Sequence, residues 1–331
     1  SGVKCINKRF VRVCSLLLVC SLCTISGTGC GENRLEDAFE ADLPGIGIQT
    51  SEESSKIPYF ASDLCVTDTD VQDIEADTED ALAACFFNLN EKKVLYAKNI
   101  HERMYPASTT KIMTALVALD KGDLDAQTTV SKEAITFSES GVSTAKLKEG
   151  DVLTLRQLLY ALLTVSANDA ANVIAEQIAG SQDAFVEMMN QEAQKIGATN
   201  THFVNANGLH SEDHYTTVYD LYLMFNAAMQ HEEFLQMLQE KEYQASYQAA
   251  DGTTVEAVWS TTNQFTKGDV TVPDGVTAVG GKTGTTTAAM SCLVQLFEDA
   301  QGEQYVAIIL GCKERGILYQ EMQTFLSNLN N

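Results

Sequence analysis

Apolar residues recur along this chain at two periods, and the changes of period mark off its folded part. Residues 82–87 and 93–96 read as two short strands joined by a turn. From Ile112 the spacing becomes helical: Ile112, Leu116 and Leu119 fall on one face, as do Leu155, Leu158, Leu159, Leu162 and Leu163. A further amphipathic helix starts after Ser181 and carries Glu187 and Asn190. Strand-like runs return at 291–297 and 305–310, with Asp299-Ala300-Gln301-Gly302 as the turn between them. Strands, then helices, then strands predict an α+β fold, and no internal repeat is present.

The stretch ahead of residue 82 has neither period. Lys4, Lys8, Arg9 and Arg12 precede an apolar run at 13–23, followed by the small residues Ser26, Gly27, Thr28 and Gly29 and then Cys30. A basic start, a short apolar middle and small residues read as an export signal over 1–31, too short for a spanning helix. Thr28 and Gly29 suit a lipoprotein signal and Gly27 does not, so lipidation of Cys30 and simple cleavage both stay open. Membrane attachment would follow from either the signal or the lipidated Cys30. Residues 32–80 carry fifteen acidic and two basic side chains and show no sustained periodicity. They read as an acidic, disordered spacer, leaving 81–331 as the folded domain. The formal net charge of −23 argues against nucleic acid as a partner.

Three short motifs carry the chemistry. Ser108-Thr109-Thr110-Lys111 follows Pro106, which disfavours helix in the residue before it, and opens the first helical pattern. Ser108 and Lys111, three apart, share a helix face, and a desolvated amine there can take the hydroxyl proton. Ser166-Ala167-Asn168 forms a polar turn between two helical runs. Lys282-Thr283-Gly284-Thr285 lies in a Gly-rich strand entry, where Gly280, Gly281 and Gly284 let backbone or ligand approach closely. Singly each reads as a capping Ser or a turn. In this order they match the S-x-x-K, S-x-N, K-T-G set of penicillin-binding proteins and class A β-lactamases.

The chain thereby resembles the serine D-alanyl-D-alanine carboxypeptidases, the low-molecular-mass penicillin-binding proteins. The likeness runs from about residue 81 to about 327. It includes the entry to Ser108, Gly141 and Ser143, Thr201-His202-Phe203-Val204-Asn205, Gly208-Leu209, and His214-Tyr215-Thr216 with Asp220. The resemblance implies a β-lactamase/DD-peptidase-like fold, with both hairpins in one antiparallel sheet and the active site between sheet and helices. It implies that Ser108 attacks the penultimate D-Ala carbonyl of a peptidoglycan stem peptide ending in D-Ala-D-Ala. Lys111 would then be the base, Ser166 the proton relay, and Asn168 the group that holds the substrate amide and orients Lys111. Lys282 and Thr283 would bind the terminal carboxylate, and the Ser108 and Thr285 N–H groups, beside Gly284, would form the oxyanion hole. No cofactor or metal is implied. β-Lactams would acylate the same serine, and the enzyme would act at the extracytoplasmic face of a bacterial envelope.

Two alternatives stay open. A class A-like β-lactamase shares two of the motifs, but Ala167 stands where its S-D-N has Asp, and no E-x-x-L-N follows. A catalytically silent wall-binding protein would need a damaged motif, and all three are intact. His210 and His214 stand four apart with loop-like residues between them, which reads as structural or rim rather than metal-binding. Cys292 and Cys312 can face each other across the last hairpin, although buried free thiols are the commoner case. The family often has an aromatic residue or His where Thr285 stands. Many members add a C-terminal β-rich domain and an anchoring helix; with Asn331 closing the sequence, neither is expected here.

Overall fold

The computed structural model describes residues 61–329. The expected export signal at 1–31, Cys30 and the spacer at 32–60 lie outside the described residues.

The chain opens with β1 (Val71–Gln72), β2 (Ala83–Asn88) and β3 (Lys93–Lys98), then a 3₁₀ turn (Ala107–Thr110) that runs into α1 (Lys111–Lys121). Next come β4 (Gln127–Thr129), β5 (Val152–Thr154), α2 (Leu155–Leu163), α3 (Asn168–Ala179), α4 (Gln182–Lys195), α5 (Val218–Ala228) and α6 (Glu232–Gln239). The last part holds β6 (Glu242–Gln248), β7 (Thr254–Ser260), the single turn α7 (Gln264–Lys267), β8 (Thr277–Thr286), β9 (Met290–Glu298), β10 (Gln304–Cys312) and α8 (Arg315–Leu326). Six strands form one sheet in the order β1-β3-β2-β10-β9-β8, all antiparallel. The N- and C-terminal hairpins therefore meet at β2 and β10, as the family resemblance implies.

Both faces of this sheet are covered, which is why β2 is buried at every residue. Cys85 and Phe87 face the helical region, where Phe87 meets Tyr222 edge-on at 4.9 Å. Ala84 and Phe86 face α8, where Phe86 stacks on Phe325 at 5.2 Å. Helix α1 is buried continuously from Lys111 to Ala118 and is the central post of the helical region. Helix α2 begins on a capping box, with Thr154 and Gln157 each accepting the other's backbone N–H. Ser181 caps α4 as its sequence predicts.

Two features depart from the sequence reading, and a third decides between its two alternatives for the last hairpin's cysteines. Residues 61–80, assigned to the spacer, belong to the folded unit: Cys65 is fully buried, and its N–H donates to Tyr222 Oη at 2.9 Å. Strand β1 pairs with β3, and Asp70 accepts the Asn99 and Ile100 N–H groups. Acidic composition concealed a few apolar and hydrogen-bonded anchors. The second departure is a four-stranded sheet, β4-β5-β6-β7, inside the stretch read as helical. Its hairpin alternates Tyr243, Ala245 and Tyr247 against Val255, Ala257 and Trp259, a period-two signal that was available. Finally, Cys292 and Cys312 lie on opposite faces of the main sheet. Continuous alternation would put Cys312 on the face of Val306, Ile308 and Leu310. A bulge between Ile309 and Cys312, with Gly311 at φ +71°, reverses it. The four cysteines among the described residues are free and buried.

Candidate active site

The three motifs converge from three separate parts of the chain. Ser108 lies in the 3₁₀ turn, and Lys111 opens α1. Ser166 sits in the α2–α3 turn, Asn168 opens α3, and Lys282, Thr283, Gly284 and Thr285 lie along β8. Two non-glycine residues here hold left-handed backbone, Ala107 at φ +48° and Ser166 at φ +59°. That conformation costs an L-residue about 1–2 kcal/mol and persists only where surrounding contacts enforce it. At Ala107 the enforcement is visible. Gly208, itself at φ +87°, packs so closely that a Cβ there would stand 2.0 Å from the Ala107 carbonyl oxygen. On the other side Gly284 brings β8 against the turn; its Cβ would lie 3.0 Å from the Ser108 nitrogen. Glycine at both positions lets the serine turn be held between two backbones.

Lys111 is fully buried and has three oxygen neighbours: Ser108 Oγ at 3.0 Å, Asn168 Oδ1 at 2.6 Å, and the Asn207 carbonyl oxygen. Burial drives its pKa well below the ordinary lysine value, with the positive charge of Lys282 adding to the effect. The Asn168 and Asn207 oxygens can only accept, so they take two N–H groups and leave the third tetrahedral position of the nitrogen facing Ser108. A neutral amine in this frame directs its lone pair at the Ser108 hydroxyl. Lys282 is also fully buried and donates to Ser166 Oγ at 3.0 Å and to the Thr283 carbonyl at 2.7 Å. Burial lowers its pKa to about 7. Thr283 Oγ1 is hydrogen-bonded to Thr262 Oγ1. Ser108, Lys111 and Asn168 thus form one hydrogen-bonded group and Ser166 and Lys282 a second, while Gly284 brings β8 against the Ser108 turn, with Thr285 next along the strand.

The sequence reading missed several supports. Asn207 acts on Lys111 through a backbone carbonyl, which has no side-chain signature; its own amide donates to Asn172 Oδ1 at 3.1 Å. Asp169, next to Asn168, is buried and accepts the Ala145 and Leu147 N–H groups at 2.9 and 3.1 Å, pinning the 145–147 loop to the second motif. His214 is buried beneath the nucleophile turn, accepting the Val204 N–H at Nδ1 and donating from Nε2 to Thr110 Oγ1 at 2.8 Å. Burial lowers its pKa to about 3, so it stays neutral and structural. Among the described residues no group of three or more His, Cys, Asp or Glu side chains is arranged to hold a metal.

Comparison with known proteins meets this geometry. The family model of D-alanyl-D-alanine carboxypeptidases matches residues 70–314. The chain belongs to this family. D-alanyl-D-alanine carboxypeptidase DacB2 of Mycobacterium tuberculosis is 35% identical over 242 residues, covering 72% of this chain and 78% of that protein. DacF of Bacillus subtilis is 38% identical over 156 residues, and DacC of Escherichia coli 31% over 267. The chain spans 40% and 62% of the length of these two relatives. The crystal structure of the Streptomyces K15 DD-transpeptidase superposes with a TM-score of 0.71 at 28% identity, covering 77% of this chain and 98% of that one. The fold is thus the DD-peptidase fold of penicillin-binding proteins. The family match also begins at residue 70, inside the segment that the sequence reading had left to the spacer.

Proposed function

We propose that this protein is a serine D-alanyl-D-alanine carboxypeptidase that removes the terminal D-Ala from peptidoglycan stem peptides. The observation that carries the reading is Lys111, buried, held by two acceptor-only oxygens and facing Ser108 Oγ at 3.0 Å. In this reading neutral Lys111 takes the Ser108 proton as Oγ attacks the penultimate D-Ala carbonyl. The oxyanion forms against the Ser108 and Thr285 N–H groups. Ser166 Oγ passes its proton to the departing amine and recovers one from Lys282, its hydrogen-bond donor at 3.0 Å. The peptide C–N bond breaks, free D-Ala leaves, and water then hydrolyses the Ser108 ester.

Protonated Lys282 has three N–H groups and two acceptors among the described residues, which leaves one for the substrate's terminal carboxylate. Thr283 supplies a hydroxyl beside it. A β-lactam carries a carboxylate and an acylating carbonyl at similar separation, so it acylates Ser108 as well. The signal read at residues 1–31 supports action at the cell envelope, with attachment through the signal or a lipidated Cys30. Among the described residues no helix is long and apolar enough to cross a membrane.

The experiment is release of D-Ala from a pentapeptide ending in D-Ala-D-Ala. Stoichiometric release with turnover, lost in Ser108→Ala, is expected. Hydrolysis of benzylpenicillin without D-Ala release would instead make the protein a β-lactamase.

A further inference from the structure

A cavity of about 560 Å³ lies between the 144–151 segment and the β6–β7 hairpin, with Val165, the neighbour of Ser166, on its wall. Its other walls include Lys146, Tyr247 and Trp259. Two connections tie it to the catalytic cleft. The Thr262 N–H, just past β7, donates to the Thr164 carbonyl at 3.1 Å, while Thr262 also bonds Thr283 of the third motif. On the opposite wall the Asn168 N–H donates to the Ser143 carbonyl at 2.8 Å, and Asp169 grips the N–H groups on either side of Lys146.

That grip has a conformational result. Lys146 holds left-handed backbone at φ +62°, with Ala145 and Leu147 buried on either side of it and its own side chain exposed at the cavity. A strained non-glycine residue fixed by a buried carboxylate next to the second motif marks a position whose direction matters. Among the described residues Lys146 makes no ion pair. Asp151 also lines the cavity, but it is buried and its carboxylate is turned onto the Lys148 N–H at 2.8 Å. The cavity therefore presents two ammonium groups without an ion-pair partner among the described residues, Lys146 on its held backbone and Lys148 beside it, next to apolar and aromatic walls.

We propose that this cavity is a substrate subsite, in which Lys146 binds a carboxylate carried by a stem-peptide residue upstream of the D-Ala-D-Ala terminus. The subsite rests on the carboxypeptidase reading and adds a preference for a carboxylated side chain. Its apolar walls suit the methylenes of such a side chain, and its ammonium suits the charged end.

Trp259 is the one tryptophan of the chain, so its fluorescence reports on the cavity without catalysis. Ser108→Ala protein is titrated with two matched pentapeptides ending in D-Ala-D-Ala, one with meso-diaminopimelate and one with L-lysine at the third position. The carboxylated peptide is expected to quench or shift Trp259 and to bind about tenfold tighter, the worth of one charge-assisted contact. Adding Lys146→Gln is expected to erase that preference, and Lys146→Arg to retain it. Equal affinity for both peptides, or a preference that survives Lys146→Gln, would overturn the subsite. D-Ala release by the unaltered protein is measured alongside. Release from both peptides at equal efficiency removes the subsite alone, whereas no release from either removes the carboxypeptidase reading and the subsite with it.

Discussion

Two lysines stand in the same cleft, both fully buried, and their surroundings give them different work. Lys111 meets three oxygens, two of which can only accept; Lys282 meets two, a hydroxyl and a neighbouring carbonyl. Burial lowers both pKa values, Lys111 well below the ordinary range and Lys282 to about 7. The first amine is built to be neutral and to point one lone pair at a serine. The second keeps a proton for part of its time near pH 7 and has an N–H to spare for an anion. Burial alone therefore does not define a catalytic lysine; the number and kind of its acceptors divide the roles.

The largest break of this comparison is at Lys111. Lys111→Arg keeps the length but carries a permanent charge and cannot accept the Ser108 proton, so β-lactam acylation is expected to fall about a thousandfold or more, read by rapid-quench mass spectrometry. Acylation within tenfold of the parent would remove the base assignment. Next comes Gly208→Ala. With its Cβ 2.0 Å from the Ala107 oxygen, the substitution has to displace the serine turn. Acylation is expected to fall about a hundredfold, with a loss of roughly 2–4 kcal/mol in urea unfolding. An unaltered acylation rate would show that the turn tolerates movement.

Lys282 sharpens the contrast through pH. Here kcat/KM for D-Ala release should fall as pH rises through about 7 and Lys282 loses its proton. Lys282→Gln should lower kcat/KM by about ten- to a hundredfold and remove that falling limb. The same shift acts on stability. Between about 7 and the ordinary lysine value of 10.5 the unfolded chain binds more protons than the folded one, so stability rises with pH over that window. Lys282→Met should flatten the rise in urea midpoints measured from pH 7 to 10; an unchanged slope would contradict the lowered pKa. The smallest effect is expected from Thr262→Val, which removes the partner of the Thr283 hydroxyl. A three- to fivefold rise in KM is expected, about 1 kcal/mol, with kcat little changed.

The groups proposed as catalytic were legible because their chemistry is written in side chains at short, fixed spacing. Ser108 and Lys111 need one helical turn, Ser166 and Asn168 one loop, Lys282 and Thr283 one strand. The apolar runs marked the strands themselves, such as residues 305–310, buried on both faces, while their joining in one sheet came from the family resemblance. Backbone contributions were not. The Asn207 carbonyl is chosen by a loop folded from Asn205 to Leu209, and any residue type supplies a carbonyl. The bulge at Gly311 turned Cys312 away from Cys292, which simple alternation along β10 conceals. The β6–β7 hairpin did show its alternation, but its polar, exposed positions dilute the apolar signal.

The most direct measurement is the intact mass of the protein after incubation with benzylpenicillin, beside Ser108→Ala. One stable adduct per chain on the parent and none on the variant is the predicted result. An unmodified parent with the drug untouched, or an adduct that persists in Ser108→Ala, would contradict the assignment of Ser108 and Lys111 as the acylation centre.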